Sequence, residues 1–234
     1  KGAFAYCRNL KKISISNITA LEDTVFYGCS ALIDITFPNA LESIGNSVFA
    51  SCTSLESIII PDSVTSLGNY AFHSCKILKD IEMKNVTSFG DYTFSSCDML
   101  ESITVPDSVT SIGNYAFHSC DILKEIEIKN ITSLADYVFS SCPELVKVNF
   151  PNVTTIGTGT FSACEKLETI LIPNLNNIGS KAFKECNNLV NLDFSNIITI
   201  GSSAFENCKK LKNMYYFRYT RNLPKNYQIL LYFF

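Results

Sequence analysis

Two glutamates have the residue type and the spacing that come nearest to a catalytic pattern. Glu82 and Glu127 occupy equivalent positions in two similar segments of the chain. If the segments are strands with Thr104 on a third strand between them, the carboxylates lie about 10 Å apart, close to the separation in an inverting glycosidase. However, Lys84 and Lys129 follow the glutamates closely, and no segment predicts a cleft. We therefore predict no catalytic role for the pair.

His73 and His118 also occupy equivalent positions, each directly after a phenylalanine. Residues 61–105 match residues 106–150 at 30 of 45 positions, which indicates duplication of a block of two similar units. The two histidines therefore count as a single feature, and we interpret them as surface side chains on the convex side. The sequence lacks a phosphate-binding glycine loop, a nucleophile elbow and a His-Glu-x-x-His segment. We predict no catalytic residue, no metal site and no cofactor.

The cysteines recur at one spacing throughout the chain. A Phe-x-x-Cys pattern appears every 22 or 23 residues and includes all ten cysteines. Equivalent stacked side chains point in one direction, whereas a disulfide needs Cβ atoms about 3.8 Å apart and a twisted geometry. No Cys-x-x-Cys pair is present, which argues against zinc. We predict free, buried thiols that act as small hydrophobic side chains. They are Cys7, Cys29, Cys52, Cys75, Cys97, Cys120, Cys142, Cys164, Cys186 and Cys208.

Four Asn-x-Thr sequons are candidate N-glycosylation sites, at Asn17, Asn85, Asn130 and Asn152. Each asparagine lies ten residues after a cysteine, just past a predicted strand, where we expect it to be exposed. Sugar addition requires a eukaryotic secretory pathway. The alternative is turn chemistry that duplication has copied, and both interpretations stay open.

An internal repeat explains these spacings. A leucine follows each cysteine by three residues, and two more apolar residues come three and five positions later, as in Leu123, Ile126 and Ile128. This pattern predicts one short strand per repeat with its apolar side chains on one face. A single strand cannot bury that face, but stacked copies can cover one another. About ten repeats of 22 or 23 residues therefore predict a solenoid with a parallel sheet.

The segment between strands reads Ile-Gly-x-x-Ala-Phe-x-x-Cys in the most regular repeats. We expect the glycine to supply a tight turn, and the residues after it suffice for about two helical turns at most. The sequence thus predicts short helical or 3-10 turns on the convex side, with the phenylalanine inward. Residues 1–216 would form the solenoid. The pattern fails over residues 217–234, which we interpret as a C-terminal cap or tail of the same domain.

Two segments, IGNYAFHSCDILKEIEI (Ile112–Ile128) and LGNYAFHSCKILKDIEM (Leu67–Met83), resemble the BspA-type, or Treponema-like, class of leucine-rich repeat proteins. The resemblance extends over nearly the whole chain. It implies an α/β leucine-rich-repeat solenoid, shaped like a horseshoe, with a parallel sheet on its concave face. It also implies a surface or secreted protein of a host-associated microbe that acts in adhesion.

The outward positions of the predicted strands form a row that changes chemistry from repeat to repeat, whereas the core positions scarcely vary. A parallel sheet usually has both faces covered, so an open and varied face predicts a ligand-binding surface. A plain solvated face is the alternative. The central members of the row, which we predict to contact a ligand, are Ile59, Glu82, Thr104, Glu127, Asn149 and Leu171.

Composition narrows the partners. A net charge of −3 without a basic run argues against nucleic acid, and no apolar run is long enough to predict a transmembrane helix. The chain begins inside a repeat, so we expect a longer protein, with any membrane attachment in regions absent from this chain. We predict a non-catalytic module at the cell surface or secreted, which binds a protein or glycan such as host extracellular matrix. The alternative is a cytoplasmic scaffold for protein–protein interaction, since reduced thiols suit the cytosol.

Overall fold

The computed structural model describes residues 1–212, which form a parallel β-solenoid of about nine turns. Most turns carry a three-residue strand on one side, and each carries a two-residue strand on a second side and tight turns on the third. The proposed cap, residues 217–234, lies outside the described residues. In chain order the strands are β1 (Lys12–Ser14), β2 (Ala20–Leu21), β3 (Asp34–Thr36), β4 (Ser43–Ile44), β5 (Ser57–Ile59), β6 (Ser66–Leu67), β7 (Asp80–Glu82), β8 (Ser88–Phe89), β9 (Ser111–Ile112), β10 (Glu125–Glu127), β11 (Ser133–Leu134), β12 (Lys147–Asn149), β13 (Thr155–Ile156), β14 (Thr169–Leu171), β15 (Asn177–Ile178) and β16 (Thr199–Ile200).

Strand pairing is parallel and keeps equivalent residues of successive repeats opposite one another. The three-residue strands pair as β1–β3, β5–β7 and β10–β12–β14, on what we call the longer-strand face. Residues 102–104 and 191–193 occupy equivalent positions there without forming paired strands. The two-residue strands pair as β2–β4–β6–β8–β9 and β11–β13–β15–β16. This second row was not predicted, because two residues are too few to show an alternating pattern.

One phenylalanine from each repeat forms a continuous ladder through the core. Neighbouring rings stack with centroids 5.3–5.6 Å apart and with planes within 20° of parallel. Phe117, at the centre of the ladder, is fully buried between Phe94 and Phe139. The prediction that these phenylalanines point inward is therefore confirmed.

The predicted helical or 3-10 turns are wrong, because residues 1–212 contain no helix. In all ten repeats the residues two before and two after the core phenylalanine have φ between 54° and 68°, as Tyr115 and Ser119 do around Phe117. Two left-handed residues, four positions apart in each repeat, prevent a right-handed helix from continuing through this segment. In addition, the N–H of Phe117 donates to the carbonyl of Val138 in the next repeat, at 2.9 Å. Alternate backbone N–H groups of this segment therefore link successive repeats to each other.

The recurrent glycine serves close packing rather than the tight turn we expected. Gly45, Gly68, Gly90, Gly113, Gly157, Gly179 and Gly201 have no left-handed φ. A Cβ on Gly113 would lie 2.5 Å from the carbonyl carbon of Gly90 in the preceding repeat. Glu22 and Ala135 take this position in two other repeats, so a Cβ is accommodated there. Glycine thus allows the backbones of successive repeats to approach each other.

The cysteines form a hydrogen-bond ladder as well as a packing ladder. All ten are free thiols, and from Cys29 onward each Sγ–H donates to the carbonyl of the phenylalanine one repeat earlier, at 2.9–3.3 Å. The Phe94 carbonyl, for example, accepts both the N–H of Cys97 and the thiol of Cys120. The interpretation as plain hydrophobic side chains was therefore incomplete, since each of these thiols fills a second lone pair on a backbone carbonyl.

Burial also makes these thiols poor acids. It raises the pKa of Cys75 to about 12, that of Cys142 to about 12, and that of the half-buried Cys208 to about 11. The thiolate is the reactive form of cysteine. The eight buried thiols are therefore unreactive near neutral pH. The prediction of burial is wrong for Cys7, which is exposed in the first repeat, and Cys208 is only half-buried.

The raised pKa values predict a loss of stability in alkali. An unfolded cysteine ionises near pH 8.5, whereas folded Cys75 and Cys142 keep their protons to about pH 12. The contribution of these cysteines to the free energy of unfolding is therefore fully present below about pH 8.5. It falls as the pH rises toward 12, because the unfolded chain releases protons that the folded chain retains. Tm measured from pH 8 to pH 11 tests this. The double variant Cys75→Ala with Cys142→Ala should decline less steeply, and an unchanged slope would contradict the assignment.

The phenylalanine ladder predicts a large effect of truncation at its centre. Phe117→Ala should lower the free energy of unfolding by ~3–5 kcal/mol, because it leaves a cavity between two stacked rings. Urea denaturation measures the change. Ile59→Ala, at a position that is 66% exposed, is the control and should change stability by less than ~0.5 kcal/mol. A loss below ~1 kcal/mol for the phenylalanine variant would show that the core tolerates the gap.

Candidate functional site

The six residues predicted to contact a ligand lie side by side on the longer-strand face. Ile59 pairs with Glu82, and Glu127, Asn149 and Leu171 are successive partners in one register. Thr104, in the unpaired segment 102–104, bridges the two sets. We call these six residues the outward row. All are exposed except Asn149, which is half-buried.

Strand alternation explains why the row faces outward. In Ser57–Ile59 the middle residue, Ile58, is 4% exposed, whereas Ile59 is 66% exposed. The same pattern holds in β7 and β10, where Ile81 and Ile126 are buried. Consecutive strand residues point to opposite faces, so the core residue of each strand fixes the orientation of its outer neighbour.

The two glutamates of the row form no ion pair with the lysines that follow them in the sequence. Lys84 pairs with Asp62 at 3.1 Å, and Lys129 pairs with Asp107 at 3.1 Å, so neither lysine binds its neighbouring glutamate. Glu127 accepts a hydrogen bond from Asn149 Nδ2 at 2.6 Å. Among residues 1–212, Glu82 has no side-chain hydrogen bond or ion pair.

Ion pairs line the start of the strands. Lys79 donates to Glu56 at 2.8 Å, and Lys124 donates to Glu101 at 2.6 Å. These hydrogen bonds lower the pKa of both glutamates and raise the pKa of both lysines. Even so, carboxylates outnumber lysines on the central part of this face by six to three, so the face attracts cations. The charged residues counted are Glu56, Asp80, Glu82, Glu101, Glu125, Glu127, Lys79, Lys124 and Lys147.

Two shallow depressions meet at Thr104. One, of about 370 Å³, extends past Glu127 to Leu171, and the other, of about 470 Å³, extends past Glu82 to Ile59. The glutamates therefore lie in different depressions and do not face each other across one cleft. A glycosidase pair must flank a single bond, so this arrangement does not favour glycoside hydrolysis.

The two histidines lie on the turn side and are half-buried. Burial lowers the pKa of His73, whose Nε2 lies 3.2 Å from Ser74 Oγ. His118 Nδ1 lies 2.7 Å from Ser140 Oγ. Within residues 1–212 no cluster of three or more metal-ligating side chains occurs. Both histidines therefore act as local packing groups next to Tyr70 and Tyr115.

The sequon asparagines are exposed, and three of them have a structural role. Asn85, Asn130 and Asn152 each donate from Nδ2 to a carbonyl of the preceding repeat, at 2.8, 2.6 and 2.7 Å. Asn174 makes the same bond without being part of a sequon. Asn17 differs, since it has a left-handed φ of 59° and its side chain makes no hydrogen bond within residues 1–212. These contacts favour copied turn chemistry for three of the four sites.

Sequence reasoning missed a second side-chain ladder. Three residues before the core phenylalanine, an Asn or Asp oxygen accepts the N–H of its equivalent in the next repeat. Asn69 Oδ1 accepts from Asp91 at 2.8 Å, Asp91 Oδ1 accepts from Asn114 at 2.7 Å, and Asn114 Oδ1 accepts from Asp136 at 3.0 Å. The recurrent Asn or Asp before tyrosine was the available signal. These acidic side chains are part of the scaffold.

The asparagine contacts predict a difference between two identical substitutions. Asn130→Asp removes the donor to Asp107 and places a carboxylate against a carbonyl, which should cost ~0.5–1.5 kcal/mol of unfolding free energy. Asn17→Asp removes no such bond, and Asp tolerates a left-handed φ, so it should cost less than ~0.5 kcal/mol. Thermal or urea unfolding of both variants measures the difference. Equal costs would show that the hydrogen bond from Nδ2 to the preceding repeat is not the reason for asparagine at this position.

In the described part of the chain, no helix has the length and hydropathy that crossing a membrane requires. The family model described as BspA type leucine rich repeat region matches residues 1–124 and 87–212, in six copies. No curated protein matches the chain.

Solved structures share the fold. A T. pallidum leucine-rich repeat protein is 28% identical, with a TM-score of 0.63, over 67% of this chain and 77% of that protein. A leucine-rich cell surface protein of Faecalibacterium prausnitzii is 24% identical, with a TM-score of 0.56, over 92% of this chain and 75% of the other. The pneumococcal vaccine antigen PcpA is 24% identical, with a TM-score of 0.61, over 86% of this chain and 61% of that antigen.

Proposed function

The chain belongs to the BspA type leucine-rich repeat family, and from that membership we propose that it is a non-catalytic module whose outward row binds a protein ligand. Leucine-rich repeat proteins generally bind proteins. The observation that carries the proposal is the chemistry of the row. Ile59 and Leu171 are 66% and 45% exposed on a face that also holds two glutamates without a lysine partner.

The outward row combines side chains that are typical of the centre of a protein–protein interface. Binding energy concentrates in a few well-packed residues, surrounded by contacts that exclude water. Ile59 and Leu171 are the apolar anchors, one at each end of the row. Glu82 and Glu127 lie between them and steer a basic partner, with an attraction that weakens as salt rises.

The partner that we propose is a basic region of a host matrix or cell-surface protein, met by this chain at the cell surface or after secretion. Support comes from the structural neighbours, which include a cell surface protein and a vaccine antigen. The alternative, a cytoplasmic scaffold, was based on the free thiols. Because eight of the ten thiols are buried, and burial raises the pKa of each of those eight, they suit an oxidising environment as well as a reducing one.

Charge reversal on the row tests the proposal. Glu82→Lys with Glu127→Lys should lower binding to immobilised fibronectin, laminin or collagen, or to host cells, at least tenfold, because it makes the centre of the face repel a basic partner. Surface plasmon resonance at low and high salt gives the affinity. Circular dichroism and Tm should stay unchanged, since both side chains are exposed.

The matched control is Asp121→Lys with Glu165→Lys. It makes the same change in charge on two exposed carboxylates that lie off the row and, within residues 1–212, have no hydrogen bond or ion pair. Asp91 and Asp136 are unsuitable because their carboxylates accept backbone N–H groups. Loss of binding in the control alone would place the interface elsewhere. Absence of binding to every matrix protein and cell type would refute the adhesion proposal.

A further inference from the structure

From Glu82 onward, the larger side chains of the outward row recur at every second strand position. Glu82, Glu127 and Leu171 are separated by Thr104 and Asn149, one residue in each gap. Paired adjacent strands lie about 4.7–4.9 Å apart. Across the unpaired segment 102–104, the stacked rings of Tyr70, Tyr92 and Tyr115 in the same three repeats keep a similar spacing of 4.6 Å. The members of this triplet therefore follow one another at about 9.4–9.8 Å. The intervening side chains are short, which leaves the three larger ones free to contact a ligand that lies across the strands.

A peptide presents equivalent side chains at a different interval in each of its three regular conformations. An α-helix presents the same face about every 5.4 Å, hence at about 10.8 Å over two turns. A β-strand does so about every 6.6–6.8 Å. A polyproline II helix has three residues per turn and a rise of 3.1 Å, hence a repeat of about 9.3 Å.

Only the repeat distance of the polyproline II helix matches the spacing of the outward row. From Glu82 to Leu171 the row extends about 18.8–19.6 Å over four strand spacings. Six polyproline residues cover about 18.6 Å, whereas four helical turns cover about 21.6 Å. A strand would present its matching side chains about 3 Å out of step already at Glu127.

Side-chain chemistry completes the match. Glu82 lacks a cation within residues 1–212, and Glu127 is oriented by the amide of Asn149 at 2.6 Å. Polyproline backbone has no internal hydrogen bonds, so its carbonyls need donors. The hydroxyl of Thr104 lies between the two glutamates and makes no hydrogen bond within the described residues, so it is one such donor.

Building on the proposed function, we propose that the outward row recognises a polyproline-type protein segment with the pattern basic-x-x-basic-x-x-apolar. The two basic residues contact Glu82 and Glu127, and the apolar residue packs on Leu171. The segment lies along the solenoid axis, across the strands. Its chain direction is open, so the reversed pattern is an equal candidate.

Synthetic peptides of one composition test the spacing. The probe is Pro-Pro-Lys-Pro-Pro-Lys-Pro-Pro-Leu-Pro-Pro, together with its reversed sequence. The controls are isomers in which the two lysines lie two or four positions apart, and circular dichroism verifies the polyproline conformation of each. Isothermal titration with the whole chain at low salt gives the affinities. We expect one of the two probes to bind at least tenfold more tightly than either isomer.

Variants of the chain locate the contact. Glu82→Gln and Glu127→Gln should each weaken the probe about two- to fivefold, as loss of one exposed ion pair does, and Leu171→Ala should weaken it further. Asp121→Asn is the control and should leave the affinity unchanged. Equal binding of probe and isomers would refute the spacing rule, as would tighter binding of a helical peptide with lysines seven positions apart.

The two proposals fail in different ways. If a matrix protein binds through Glu82 and Glu127 but no polyproline peptide binds, the proposed function stands and the segment type is refuted. If the peptides bind equally well to Glu82→Lys with Glu127→Lys, the row is not their site and the inference is overturned. If neither matrix proteins nor peptides bind, both proposals fail.

Discussion

Each turn of this solenoid depends on backbone hydrogen bonds to the repeats on both sides of it. On the turn side, N–H groups donate to the following repeat, as Phe72 does to Thr93 at 2.8 Å. Along the strands the N–H groups donate in both directions: Gly68 donates to Ile44 of the preceding repeat at 3.0 Å, and Ile60 donates to Glu82 of the following repeat at 2.8 Å. Buried backbone groups must be paired, so every repeat needs a neighbour on each side. This requirement keeps equivalent residues of successive repeats opposite one another and leaves little freedom for insertion within a repeat.

Side chains follow the same constraint. A thiol, an asparagine amide and an Asx oxygen each bond to the backbone of an adjacent repeat, at one fixed position per repeat, as Cys120, Asn130 and Asp91 do. The core rings stack on the same principle. Polar and apolar ladders thus stabilise the same stack, and a residue that is invariant along the chain has a partner one repeat away. The outward row is different, because its side chains have few such partners.

The sequence was sufficient to predict the core and the row, and insufficient for the turns. Period-two alternation in Ile126 and Ile128 identifies both the buried face and its outward neighbour Glu127, because strand geometry links them. The left-handed residues were unpredictable, since tyrosine and serine fill most of those positions and have no intrinsic preference for positive φ. Bonds between repeats impose that conformation. The roles of Cys120 as a donor and of Gly113 as a contact point depend on the neighbouring repeat in the same way, so no single-repeat pattern reveals them.

Duplication of a two-repeat block has a consequence for how such a surface evolves. Glu82 and Glu127 are copies of one residue, and the stack sets them two strands apart without any new fold being required. Each further copy of the block would add one more acidic contact at the same pitch, and linked contacts strengthen binding multiplicatively, as effective concentration replaces free diffusion. Avidity in this architecture can therefore increase when duplication adds repeats. Selection can then change individual outward residues, because the scaffold does not depend on them.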